Sequence, residues 1–104
     1  MPFRDTLDRD IHFAKHGHEF GVADALRYER MADAFMFDPI TADVGECTRR
    51  NAVDRLRFGY ISHHLGVACI APVFIRTFYV VDAVNIARHG GTRGYFQWQC
   101  GRIV

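Results

Sequence analysis

An α+β fold is expected from three features of the sequence. Up to Asp38, apolar residues recur at helical spacing in two stretches. From Glu46 to Val81 they gather in four short blocks rich in β-branched and aromatic residues. The connections between those blocks are too short for parallel crossovers, so the strands should be antiparallel. The expected architecture is two N-terminal helices packed on one face of a four-stranded β-meander, in a single domain over residues 1–104.

The first helix is expected over residues 5–16, DTLDRDIHFAKH, with Leu7, Ile11 and Ala14 at helical spacing and Gly17 as its stop. Its aspartates come early and Lys15 and His16 late, which complements the helix dipole. HEFG reads as a bend. The second helix spans 24–36. Asp24 caps it, Leu26, Met31, Ala32, Phe35 and Met36 form its apolar stripe, and Asp38-Pro39 ends it. The strand blocks are ECTRRN, DRLRFGY, HLGVACIA and VFIRTFYVV. The last is the most apolar and is expected at the centre of the sheet. Hairpin connections fall at Asn51–Asp54, Ser62–His64 and Ala71-Pro72-Val73. DAVNIAR can form a turn or two of helix, HGGTRG reads as a flexible loop, and YFQWQCGRIV as an edge strand or packed tail.

Net charge is +1, well short of the positive balance with which proteins hold long duplex DNA. Its distribution is uneven. Residues 47–104 hold eight arginines but only Asp54 and Asp82 among the acids, so this half could meet phosphate. Arginine-rich coding composition would give the same excess. Cys47, Cys69 and Cys100 are odd in number and widely spaced, so neither a disulfide framework nor a cysteine zinc site is expected, and the thiols read as small buried hydrophobes. No apolar run is long enough to span a bilayer, and MPFRDTLDRD is too polar for a secretory signal. The cytoplasm is the expected compartment, with no membrane partner.

The densest titratable chemistry lies in IHFAKHGHEF, where His12, His16 and His18 surround Lys15, the chain's only lysine. On a helix, His12, Lys15 and His16 share one side, while Phe13 points elsewhere and can anchor the core. Three chemistries fit. Histidines four residues apart can share a zinc ion, but the ammonium between them opposes a cation, and H-E-x-x-H is absent. Metal-independent RNA cleavage needs a base, an acid and a cation near the phosphorane, and histidine and lysine supply all three. Histidines at a helix C-terminus can also simply complement its dipole.

In FIRTFY, alternation puts Ile75, Thr77 and Tyr79 on one side and Phe74, Arg76 and Phe78 on the other. Thr77 offers a hydroxyl from a rigid strand, although threonine also simply favours strands. Arg57, with Arg49 or Arg50, could contact phosphate or lie on a solvated face. His63 and His64 read as solvated turn residues. Among Tyr95, Phe96 and Trp98, Tyr95 is the candidate for stacking a base, against ordinary packing.

HFAKHGHEFG, the helix with Tyr28 and ADAF, then CTRR, RLRFGY, LGV, IRTFY and HG…YF follow one another in order from about residue 11 to residue 96. In this the chain resembles the barnase–EndoU–colicin–RelE superfamily of small RNases, and is most similar to the versions in bacterial polymorphic toxins and phage or mobile-element proteins. The resemblance implies a metal-independent endoribonuclease, often directed at tRNA, that leaves a 2′,3′-cyclic phosphate. It implies no cofactor, and a toxin whose partner could be an immunity or antitoxin protein. His12, Lys15, His16 and Thr77 match the catalytic positions, and Arg57, Arg76 and Tyr95 match positions that would hold substrate. Two turns depart from the pattern: Asn51-Ala52-Val53-Asp54 replaces N-G-D, and Pro72-Val73 stands where glycine is common. The alternatives are a catalytically silent RNA- or protein-binding module, or a zinc-binding domain using His12 and His16.

Overall fold

Two aspartates start the first two helices. The Asp5 carboxylate accepts from Asp8 N–H at 2.7 Å, and Asp24 does the same for Arg27 N–H at 2.8 Å, satisfying donors that a helix start leaves open. The computed structural model describes residues 2–49 and 52–101. In it α1 runs Thr6–His16 and α2 Ala25–Phe37, separated by a 3-10 turn, Gly17–Phe20. The left-handed residue that turns the chain is Gly21 (φ 66°), not Gly17. Gly17 is needed for room, since a Cβ there would come within 2.5 Å of the Phe13 ring.

The sheet follows: β1 Val44–Arg49, β2 Asp54–Gly59, β3 His64–Ile70 and β4 Val73–Val80, antiparallel in sequence order. The α+β class with two leading helices and a meander is as the sequence indicates. The first hairpin turn lies partly outside the described residues, as does Arg50; within it, Ala52 takes the left-handed φ (66°) that a glycine would have supplied. Ala71-Pro72, joined by a cis peptide bond, link β3 to β4 directly after the Ile70–Val73 pair.

β4 stands at the margin of the sheet rather than at its centre. Its apolar character comes from cover. Phe3 bridges Ile75, and Ile75 N–H donates to Pro2 O at 2.9 Å. The Tyr28 hydroxyl donates to the Phe78 carbonyl, and Val80 N–H donates to Glu19 Oε1 at 2.8 Å. The N-terminal segments thereby occupy groups that an edge strand otherwise leaves unpaired. One core cluster, Phe3, Tyr28, Ala32, Ile75 and Phe78, fills this side. α2 reaches the sheet because β3 opposes it with Gly66: a Cβ there would meet Met36 Sδ at 2.5 Å.

The C-terminal segment departs from expectation. α3, Ala83–Arg88, is followed by α4, Thr92–Gly101, where an edge strand or tail was expected. YFQWQC alternates in a way that mimics a strand. Its buried partners are nonetheless Tyr95 and Gln99, four residues apart on one helix face, with Gln99 Nε2 donating to Tyr95 Oη at 2.8 Å. α3 and α4 cap a second cluster on the opposite sheet face, with Leu56, Phe58, Leu65, Val67, Val81, Ile86 and Tyr95. The sheet therefore carries helices on both faces, not one.

The cysteines also differ from expectation. Cys47 on β1 and Cys100 on α4 are joined (S–S 2.12 Å), and only Cys69 is a free buried thiol. The bond closes a loop with a sequence separation of 53 residues and fastens α4 to the far margin of the sheet. Replacing Cys100 with serine should lower unfolding stability by about 2–4 kcal/mol in urea titrations, and reductant should do the same to the unaltered chain. Identical midpoints with and without reductant would contradict this.

Candidate active site

α1 lies along β4. Phe3, which bridges Ile75, stacks on His12 with ring centroids 5.1 Å apart, and His16 stacks on Tyr79 at 5.4 Å. Helix and strand therefore advance in the same direction, and Thr77 falls between the two contacts.

The expected alternation along β4 is broken at one place. Val67 pairs with Thr77 but Ala68 with Ile75, leaving Arg76 as a bulge. The extra residue sends Ile75 to the same side as Phe78, in the core cluster beneath α2. Thr77 and Tyr79 stay together on the other face, opposite Val67 and Leu65. Thr77 is half-buried there.

Both imidazoles are oriented through Nδ1. His12 Nδ1 lies 2.9 Å from the Asp8 carbonyl oxygen and 3.4 Å from its carboxylate. His16 Nδ1 lies 2.8 Å from Glu19 Oε2. A carbonyl or ionised carboxylate can only accept, so these contacts place the ring proton on Nδ1 and leave Nε2 for exchange with a ligand. The ring centroids are 6.5 Å apart. Lys15 lies between them on the helix and is exposed.

Glu19 joins this arrangement to the sheet, with Oε2 on His16 and Oε1 on Val80 N–H. Burial acts to raise its pKa. The His16 hydrogen bond, the Val80 N–H and the charges of His16 and His18 outweigh burial and hold it below its ordinary 4.5. Glu19 was not singled out from the sequence, although its position three residues after His16, in HGHEF, was the available signal.

The expected substrate-binding residues do not all join this group. Arg57 is buried under α2. Its Nε meets Glu46 Oε1 at 2.8 Å, and its Nη1 meets the Phe35 and Asp38 carbonyls at 3.1 and 2.7 Å. It ties the C-terminal end of α2 to the sheet, on the face away from Thr77. Tyr95 is only 4% exposed and packs on Phe58, so it presents no ring to a base. Arg76, at the bulge, is partly exposed, with Nε 2.9 Å from the buried Asp54 carboxylate and its guanidinium over Phe74. Arg49 donates to Gln99 on α4.

His64, expected in a solvated turn, begins β3 and meets Phe20, Phe35 and Phe78 edge-on. Burial, and then the charge of His63, lower its pKa from 6.5, so it is neutral at pH 7. Among the described residues, no group of three or more His, Cys, Asp or Glu side chains is gathered as a metal site. No helix among them is long and apolar enough to cross a membrane. No family model matches the chain, and no curated protein matches it.

Because the folded pKa of Glu19 is depressed, its stabilisation is complete above about pH 4.5 and lost as pH falls through the folded value. Glu19→Gln should therefore flatten the loss of stability below pH 4.5 in denaturant titrations. Parallel curves for the two proteins would contradict the bridge.

Proposed function

We propose that this domain is a metal-independent endoribonuclease. The observation that carries the reading is the oriented imidazole of His16, its Nδ1 held by an ionised carboxylate at 2.8 Å, one helical turn from His12. A neutral imidazole so held takes a proton at Nε2, and the carboxylate stabilises the imidazolium that forms. His16 accordingly takes the proton of a ribose 2′-hydroxyl. The 2′-oxygen bonds to phosphorus, and the bond from phosphorus to the 5′-oxygen breaks. His12, which enters the step as the imidazolium with a proton on each ring nitrogen, gives the departing oxygen its proton from Nε2 and is left neutral with Nδ1 still on the Asp8 carbonyl. The products are a 2′,3′-cyclic phosphate and a 5′-hydroxyl.

The charge that develops on the phosphoryl oxygens needs a cation and a donor. Lys15 lies beside the imidazoles and supplies the first. The Thr77 hydroxyl, offered from a strand between the two stacked contacts, supplies the second. Arg76 is the remaining candidate for holding substrate on that face. Single-stranded regions of tRNA are the substrate class in keeping with the resemblance, and a neutralising protein partner belongs to the same reading.

The test is cleavage of bulk tRNA in EDTA with the product ends mapped. His12→Ala and His16→Ala should each slow cleavage by about a hundredfold or more. Unchanged cleavage in both variants would refute the assignment. RNA retained by the unaltered protein without cleavage would make the domain a binding module instead.

A further inference from the structure

A cavity of about 350 Å³ opens between the C-terminal end of α2 and the sheet, within the size range of small-ligand sites. It lies on the face away from Thr77, so the cleavage chemistry does not use it. Met31, Phe35 and Ile40 give it apolar walls, and Arg57, His64 and Asp38 give it polar ones. Two of these polar groups are incompletely used. The Arg57 side chain is only 8% exposed, with Nε on Glu46 and Nη1 on two carbonyls, yet among the described residues Nη2 meets no acceptor. The His64 ring lies against Phe20, Phe35 and Phe78. Its backbone N–H donates to Ser62 Oγ at 3.2 Å, but neither ring nitrogen has a hydrogen-bond partner among the described residues. Neither free edge is sealed in the interior, so both open on the cavity that the two residues line. His64 stands two residues from Gly66, the β3 partner of Arg57. The two are therefore diagonal neighbours on one sheet face, about 7–8 Å apart, and one ring can meet both side chains.

The charge of the lining selects the occupant. The Arg57 guanidinium is already paired with Glu46, which also meets Arg55 Nε at 3.3 Å. The exposed Asp38 at the rim opposes an anion, and Arg57 opposes a cation. His64, its pKa lowered first by burial and then by His63, adds no charge at pH 7 and offers one donor and one acceptor. A neutral occupant is favoured. It has to present an acceptor to Arg57 and a complement to a neutral imidazole, on a body apolar enough for Met31 and Phe35. A flat ring in which a carbonyl stands next to an N–H meets all three conditions.

We propose that this cavity binds a neutral cyclic amide, the group carried by uracil and hypoxanthine bases, with its carbonyl oxygen on Arg57 Nη2 and its N–H on the bare ring nitrogen of His64. The site stands apart from the ribonuclease reading, because it uses neither the histidines of α1 nor Thr77.

The test follows the His64 ring resonances of the isotope-labelled full chain during titration with uridine and, separately, with inosine. Saturable shifts are expected at about millimolar concentration. 3-Methyluridine keeps the ring and both carbonyls but has no N–H, and should bind at least about tenfold more weakly. Benzoate, flat but anionic, should leave the resonances in place. His64→Phe keeps the aromatic bulk among three phenylalanines and should weaken uridine binding by about tenfold, read from the backbone amides around the cavity. Ala34→Trp, at an exposed position of α2 that lines the cavity, should abolish it. A strand of 2′-deoxyuridylates, which attack by a 2′-hydroxyl cannot cut, then separates two sources. Matching shifts make the occupant a base within a nucleic acid, and shifts from the nucleosides alone make it a free nucleoside. No shift with uridine or inosine would overturn the proposal, as would equal binding of 3-methyluridine or benzoate, or undiminished binding by His64→Phe. None of these results bears on cleavage by His12 and His16, so the two readings fail separately.

Discussion

The carboxylate of Glu19 is the joint on which the candidate site depends. One oxygen accepts from the outward N–H of Val80 and the other from Nδ1 of His16. The first bond satisfies a donor at the margin of the sheet, and the second fixes a catalytic candidate at the end of a helix. Hydrogen bonds to a charged acceptor are stronger than neutral ones, typically about 1.5–3 kcal/mol each. Glu19 is partly exposed, so solvent screening places these two toward the low end. Their value is chiefly geometric: the imidazole inherits the position of a strand rather than that of a loop.

The same margin explains why the N-terminal half and the meander form one unit. Pro2, Tyr28 and Glu19 each meet a different backbone group of β4. Burial, followed by the Glu19 charge, pushes the Tyr28 pKa up, which keeps its hydroxyl a neutral donor to the Phe78 carbonyl. The bulge at Arg76 then divides the strand's work. Ile75 and Phe78 anchor the core beneath α2, while Thr77 and Tyr79 face the other side, where His16 stacks on Tyr79. Without the extra residue, Ile75 and Thr77 would share a face.

Much of this was legible in the sequence because its signals are local. Asp5 and Asp24 mark helix starts through contacts three residues away, and the histidine block was visible as a helix face. The missed features depend on distant partners. β4 looked central because it is apolar, yet its cover comes from Phe3 and Tyr28 rather than from a second neighbouring strand. Arg57 looked like a phosphate ligand, yet its acceptors are carbonyls at the end of α2, unpredictable before that helix is placed. α4 was hidden by an accidental alternation, and the disulfide by the separation of Cys47 and Cys100, which only α4 brings together.

The most direct test of the Glu19 joint is the tautomer of His16 in the neutral protein, read from the two ring nitrogens by long-range proton–nitrogen NMR. A bridge to the carboxylate requires the proton on Nδ1 and a bare, pyridine-like Nε2. A proton residing on Nε2, or averaged shifts from a ring exchanging freely between both forms, would contradict it.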